Sequence, residues 1–257
     1  YGAERRSEII GDDEVEPITE DKLIEDYNVR MFLTRDGYIK KIPLVSLRSS
    51  GEQKLKEDDV ILFEQETHNK ADLLLFSNKA VVYKMKVHEL ADCKASMLGD
   101  YLPNILGLDA DERIIYMHAT PDYSGYLLFA FENGKVAKIP VESYATKLNR
   151  KKLTKAYSQN SPLVCIRHIS EDEDFAALSS INKLLVFNTA EINPKSTRDS
   201  QGVQVLKAKK GSVLVALRPL SELSLADPEY YRAKIPAIGY YLREEDREDR
   251  QISMFGN

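Results

Sequence analysis

The stretch KLNRKKLTK, residues 147–155, holds Lys147, Arg150, Lys151, Lys152 and Lys155, and no acid stands between Glu142 and Glu171. Cations at this density neutralise a polyanion, and phosphate neutralisation with counterion release is the chemistry they suit. Lys41, Lys84 and Lys138 add a second set, at one phase of a strand that returns along the chain, with Val186 interrupting the series in its fourth copy. If the phase is kept, they project outward from equivalent places. The plainer reading is that they are solvated strand-face lysines guarding sheet edges, and that the 147–155 run is a solvated face. Lys207, Lys209 and Lys210 form a smaller group that either extends the patch or ends a strand.

Bond-making chemistry has no comparable signal. The sequence has no glycine-rich phosphate loop, no nucleophile elbow and no HExxH pair. His68, His88, His118 and His168 are spaced singly, and none of the fourteen tyrosines has a partner set that would make it a nucleophile. No catalytic residue, metal site or cofactor is expected. Cys93 and Cys165 stand at no motif spacing and read as reduced, packing thiols.

The elements that must position the lysines are legible from a repeat. RDGYIKKIPL at 35–44 comes back as NKAVVYKMKV at 78–87 and NGKVAKIPV at 133–141, with a more distant copy around Asn182. Aligned on the turn, Gly37, Ala80, Gly134 and Asn182 are 43, 54 and 48 residues apart. An apolar strand flanks each turn on both sides, and Asp-Gly, Asn-Lys or Asn-Gly at the joint marks a hairpin. Further strands at 60–66, 113–119 and 163–169 are apolar at consecutive positions, which predicts inner strands covered on both faces. Units of three to four strands at this period suit radial blades, so the expected fold is all-β: a propeller-like disc of four blades, five at most. Helix is expected only around 19–27 and 227–234. A sandwich of independent hairpins fits the regular spacing less well.

With 257 residues, 43% of them hydrophobic, the chain can bury an ordinary core or a row of small ones. Its net charge of −5 conceals an asymmetry: residues 1–27 hold ten acids and three bases, and 219–257 hold eight acids and five bases. The body between them is net positive by five. No apolar run is long enough to span a bilayer, and the first residues lack the apolar centre of a signal peptide, so no membrane partner is expected and the location is cytoplasmic.

Three stretches carry a resemblance to a known family. The run from Asp72 to Ile114, the GYIKKIPL repeat and STRDSQGVQVLKAKKGSVLVALRPL at 196–220 are similar to the C-terminal domain of bacterial type IIA DNA topoisomerase A subunits, those of DNA gyrase and topoisomerase IV. The resemblance implies a β-pinwheel, a propeller variant with strands exchanged between blades, whose rim binds and bends duplex DNA. It places the DNA-cleaving tyrosine in another domain, so this piece by itself is not an enzyme but part of an ATP-hydrolysing isomerase. Its partners would be duplex DNA, the rest of the A subunit, and the ATPase B subunit, at the nucleoid. Residues 1–26 resemble the end of the preceding coiled coil, 27–220 the pinwheel, and 221–257 an acidic tail.

The sequence departs from the family in length, with four hairpin repeats where a gyrase would imply six, and at one motif. Gyrases carry a box close to Gln-Arg-Arg-Gly-Gly-Lys-Gly, and the matching stretch here is SGEQKLK, residues 50–56, with one glycine and no arginine. A topoisomerase IV-like or otherwise divergent subunit, rather than a gyrase, is therefore expected, with DNA bent but not wrapped. REEDREDR at 243–250 has five acids in eight residues and could compete with phosphate for the basic rim if the preceding aromatic stretch docks. Against all of this stands a propeller-like protein-interaction module with no nucleic-acid role, which the overall acidity favours.

Overall fold

The computed structural model describes residues 23–48, 51–146, 150–208 and 211–247. Four hairpins dominate it: β1 (Asn28–Thr34) with β2 (Tyr38–Pro43), β4 (Asp72–Ser77) with β5 (Val81–Lys86), β8 (Tyr126–Phe131) with β9 (Lys135–Pro140), and β12 (Asp174–Ser179) with β13 (Lys183–Asn188). Their turns are built as the repeat predicts. Gly37, Ala80, Gly134 and Asn182 all adopt positive φ, at 89°, 52°, 78° and 57°. At Gly134 space adds to the requirement, because a Cβ there would collide with the carbonyl oxygen of Leu206.

Each hairpin gains two strands and becomes a four-stranded antiparallel sheet. The inner additions are β3 (Ile61–His68), β7 (Ile114–Thr120), β11 (Leu163–Ile169) and β15 (Leu214–Pro219), each beside the first strand of its hairpin. A register shift recurs in all four of these pairings, at Leu33/Thr34, Phe76/Ser77, Leu163/Cys165 and Leu178/Ser179, where a bulge adds twist. The outer additions are the short strands β6 (Asp100–Tyr101), β10 (Lys152–Thr154), β14 (Val203–Gln204) and β16 (Tyr240–Tyr241). The first three arrive only after the chain has built the next hairpin, and then return to the preceding sheet. Strands are thus exchanged between neighbours, as in a pinwheel.

Apolar side chains interdigitate between consecutive sheets. Met31, Leu33 and Ile39 of the first meet Leu73, Leu75 and Met85 of the second; Leu74 and Phe76 meet Leu127 and Phe129 of the third; Leu128 and Ala130 meet Phe175 and Leu185 of the fourth. Among the described residues no apolar cluster joins the first sheet to the fourth. Each end has its own cover instead: Cys93, Ala95 and Leu47 over Phe32 and Ile42, and Tyr231 and Leu242 over Leu184 and Val186. The expectation of strands covered on both faces holds for β7 alone: β3, at the end of the row, alternates half-buried and exposed, and β11 is mostly half-buried.

The chain beyond 220 belongs to the fourth sheet up to its last described residues. Pro228–Tyr231 form a 3₁₀ turn in place of the expected helix, Arg232 bridges to Val186, and Ala237 bridges to Leu206 of the third sheet. Of the helix expected around 19–27, residues 19–22 lie outside the described residues, and 24–27 are not helical but lead straight into β1. Among those described, no helix is long and apolar enough to cross a membrane.

Candidate nucleic-acid interface

Backbone pairing brings the return segments onto the second strand of each hairpin. Cys93 N donates to Lys41 O, Lys84 N to Lys151 O, Lys195 N to Lys138 O, and Ala233 N to Val186 O, at 2.8–3.2 Å. The four positions singled out by repeat phase, 41, 84, 138 and 186, are therefore covered by chain that arrives from elsewhere in the sequence. Their side chains follow from that.

Lys41 and Lys138 do not project outward; both are 3% exposed. Lys41 Nζ donates to Asn69 Oδ1 and faces Asp92 Oδ1, each at 2.9 Å. Lys138 Nζ donates to Asp172 Oδ1 at 2.5 Å and to Thr189 O at 3.3 Å, and lies 4.7 Å from the centre of the Tyr126 ring. A cation buried this far needs such partners. These lysines fasten the sheets rather than furnish a rim. Lys84 is half-buried, donates to Tyr144 O (2.9 Å) and Thr146 Oγ1 (3.1 Å), and burial pulls its ammonium below the usual lysine value.

The basic stretch divides. Lys147 lies outside the described residues. Arg150 and Lys151 are exposed and turn to the same recess as Lys84 and Lys86, a cavity of about 500 Å³ between the second and third sheets, also lined by Asp72, His88, Glu89 and Tyr123. Lys152 points the other way, with its ammonium 5.0 Å from the centre of the Tyr83 ring and its charge stabilised by Tyr83, Glu112 and Asp109. Lys155 is exposed at a left-handed position, φ 53°. Of the residues expected to act together, the structure gathers Lys84, Arg150 and Lys151. Lys207 is exposed, and Lys209 and Lys210 lie outside the described residues.

Return segments supply cations that the repeat phase does not reveal. Lys94, Lys195 and Lys234 are exposed on three of them, as Lys151 is on the fourth. Each short outer strand is thus preceded by a surface lysine on the segment that leads into it. Their spacing in sequence is irregular, so only the backbone pairing exposes the series.

Within the stretch matching the family box, Gln53 and Lys54 are tied to the first sheet. Lys40, 1% exposed, donates to Gln53 Oε1, Lys54 O and Ala95 O at 2.7–3.1 Å. Burial pulls its ammonium down as well. The acidic tail is partly spent too: Asp246 is 1% exposed, accepts from Ala226 N at 2.9 Å, and accepts the Tyr231 hydroxyl. His118 and His168, expected as single residues, stack at 4.3 Å between β7 and β11. Both cysteines are free thiols, pushed up by burial.

The arrangement matches known proteins in sequence and in shape. The family model described as DNA gyrase C-terminal domain, beta-propeller, matches residues 31–63, 71–96 and 173–221. The A subunit of DNA topoisomerase 4 from Staphylococcus aureus (strain MSSA476) is 26% identical over 260 residues, covering 99% of this chain and 32% of that protein. The crystal structure of the C-terminal domain of DNA topoisomerase IV superposes with a TM-score of 0.68 at 25% identity, over 85% of this chain and 73% of that one. In sequence and in shape the chain resembles the C-terminal domains of topoisomerase A subunits.

The fold alone is matched at lower identity as well. The E. coli ParC C-terminal domain gives a TM-score of 0.66 at 14% identity, over 86% of this chain and 96% of that chain. The DNA gyrase A C-terminal domain gives 0.54 at 19%, over 85% and 80%. The chain spans about a third of the length of the curated relatives it matches.

Proposed function

We propose that this domain binds duplex DNA through its phosphates along the edge made by the return segments, bends it, and presents it to the rest of a type II topoisomerase. The parent enzyme would be an isomerase with this domain on its A subunit, working with an ATP-hydrolysing partner. The observation that carries the reading is the cavity between the second and third sheets, where Lys84, Lys86, Arg150 and Lys151 converge from two separate segments. Lys94, Lys195 and Lys234 continue positive charge to the other sheets. Contacts of these cations to phosphates would carry no sequence information, so binding is expected to be indifferent to sequence.

Affinity should be modest and steeply dependent on salt, because the body has only a small positive excess. The box segment contributes to a fixed loop instead of a flexible basic arm, so bending without full wrapping is expected. Mobility shifts of a duplex at low salt test binding, and linking-number change on nicked, bound and religated circles tests wrapping. A complex with essentially no linking change is the expected result. Absence of any complex at low salt would overturn the proposal, and a large positive writhe would overturn the bending-only form of it.

A further inference from the structure

Glu89 stands inside the basic cavity. Its Oε1 accepts from Lys86 N at 2.8 Å, and its Oε2 takes Lys151 Nζ at 3.2 Å. These contacts keep the carboxyl ionised, below its ordinary range even though burial opposes them. Lys151 is 78% exposed at its side chain, so the pair is open to solvent and exchangeable. Lys86 is held in the same way by Asp72 at 3.1 Å.

The molecule itself shows that the fold does not need a carboxylate there. The turn that follows each hairpin carries Ser46 in the first sheet, Glu89 in the second, Ser143 in the third and Glu191 in the fourth. Two of the four turns therefore close with serine. Glu191 is used differently, its Oε2 accepting from the backbone Ile235 N at 3.0 Å. At Glu89, by contrast, the turn acid holds a lysine that faces the cavity.

From this geometry we infer that Glu89 is a built-in competitor for the anion site: its carboxylate occupies Lys151 when the cavity is empty and must release it when a phosphate enters. The ligand class is a phosphate diester or a short polyphosphate, whose oxygens can reach Lys84 at the floor and Lys86, Arg150 and Lys151 at the rim. Exchanging a carboxylate for a phosphate lowers affinity and leaves the site selective for ligands of higher charge density. The identity of the diester as duplex DNA rests on the proposal above; the competition does not.

The test compares the whole chain with its Glu89→Ser and Glu89→Gln variants. The serine is the residue used at the equivalent turns, and the glutamine keeps an acceptor for Lys86 N. Glu142→Gln, an exposed acid on the following turn, controls for the change in overall charge. Binding of inorganic pyrophosphate is followed by calorimetry and by amide shifts at residues 84–89 and 150–151, and duplex binding by anisotropy at low salt. Both Glu89 variants should bind pyrophosphate and duplex roughly 3- to 10-fold more tightly, with Glu142→Gln changing little. Equal affinities in all proteins, or an equal gain in the control, would overturn the competitor. Tighter pyrophosphate with no duplex binding in any protein would uphold it and remove the DNA reading. No anion binding at all would overturn both.

Discussion

In the first three sheets the second hairpin strand supplies a lysine, Lys41, Lys84 or Lys138, and the surrounding connections supply the acceptors. The fourth sheet reverses the roles. Val186 is fully buried at the matching position, and its bridge partner Arg232 brings the cation from the return segment to Asp174 at 2.7 Å, with Glu229 alongside. Asp92, the bridge partner of Lys41, shows the opposite polarity in the first sheet. In the first and fourth sheets the bridging return residue takes part in an opposite-charge pair, as the acid in one and as the cation in the other. A hairpin followed by another hairpin has later connections to hold its lysine. The fourth hairpin has none following it among the described residues, and its cover comes from 228–242.

The largest effect should come from forcing the common arrangement onto the fourth sheet. Val186→Lys places an ammonium in an apolar site beside Arg232, and should cost about 3 kcal/mol or more by urea denaturation. Adding Arg232→Asp recreates the polarity of Lys41 and Asp92 and should recover a substantial part. A single substitution tolerated within about 1 kcal/mol would show that the two ends are not equivalent in packing.

A smaller effect separates the interior joint from the ends. His118 is buried against His168, and desolvation together with that neighbour pulls its imidazole down to about 3. The folded chain thus resists a proton that the unfolded chain takes near pH 6.5. The stabilisation is fully present above that pH and is lost as pH falls, by about 2 kcal/mol between pH 6.5 and 5. Thermal melts across this range should show the loss, and His118→Gln should flatten it. An unchanged slope in the variant would place the acid sensitivity elsewhere.

The smallest change in stability, and the most useful for function, is expected at the exposed return-segment lysines. Alanine at Lys94, Lys195 or Lys234 should alter stability by no more than about 0.5 kcal/mol. Under the DNA-binding reading, each removed phosphate contact should reduce the salt slope of duplex binding by about 0.9. Lys41→Met or Lys138→Met should do the reverse, lowering stability with an unchanged slope. If the buried lysines govern the slope and the exposed ones do not, the division between fastening and binding cations fails.

Much of the fold is legible in the sequence because turn chemistry is local. Asp-Gly, Asn-Lys and Asn-Gly between apolar strands announce hairpins whatever surrounds them, and the strands at 114–120 and 163–169 are marked by their own apolar runs. The direction of the lysines is not legible. Strand alternation identifies a solvent face only when one face is dry, and here Lys40 and Lys41 are neighbours on opposite faces, both buried. The return strands are equally hidden, since two or three residues carry no period.

What the sequence determined by itself was the unit: four hairpins, their turns, an all-β class, a resemblance to topoisomerase C-terminal domains, and a body with more bases than acids. The tertiary structure decided which sheet each short strand joins, and with it the fate of every cation. Lys41 meets Asp92, and Lys84 meets Thr146, across dozens of intervening residues. Such a pairing is selected by what the completed sheets leave to be covered, not by any preference of the residues near it. A lysine at one phase of the repeat is therefore a buried fastener where a return segment closes over it, and a half-buried cation facing a cavity where the closure is incomplete.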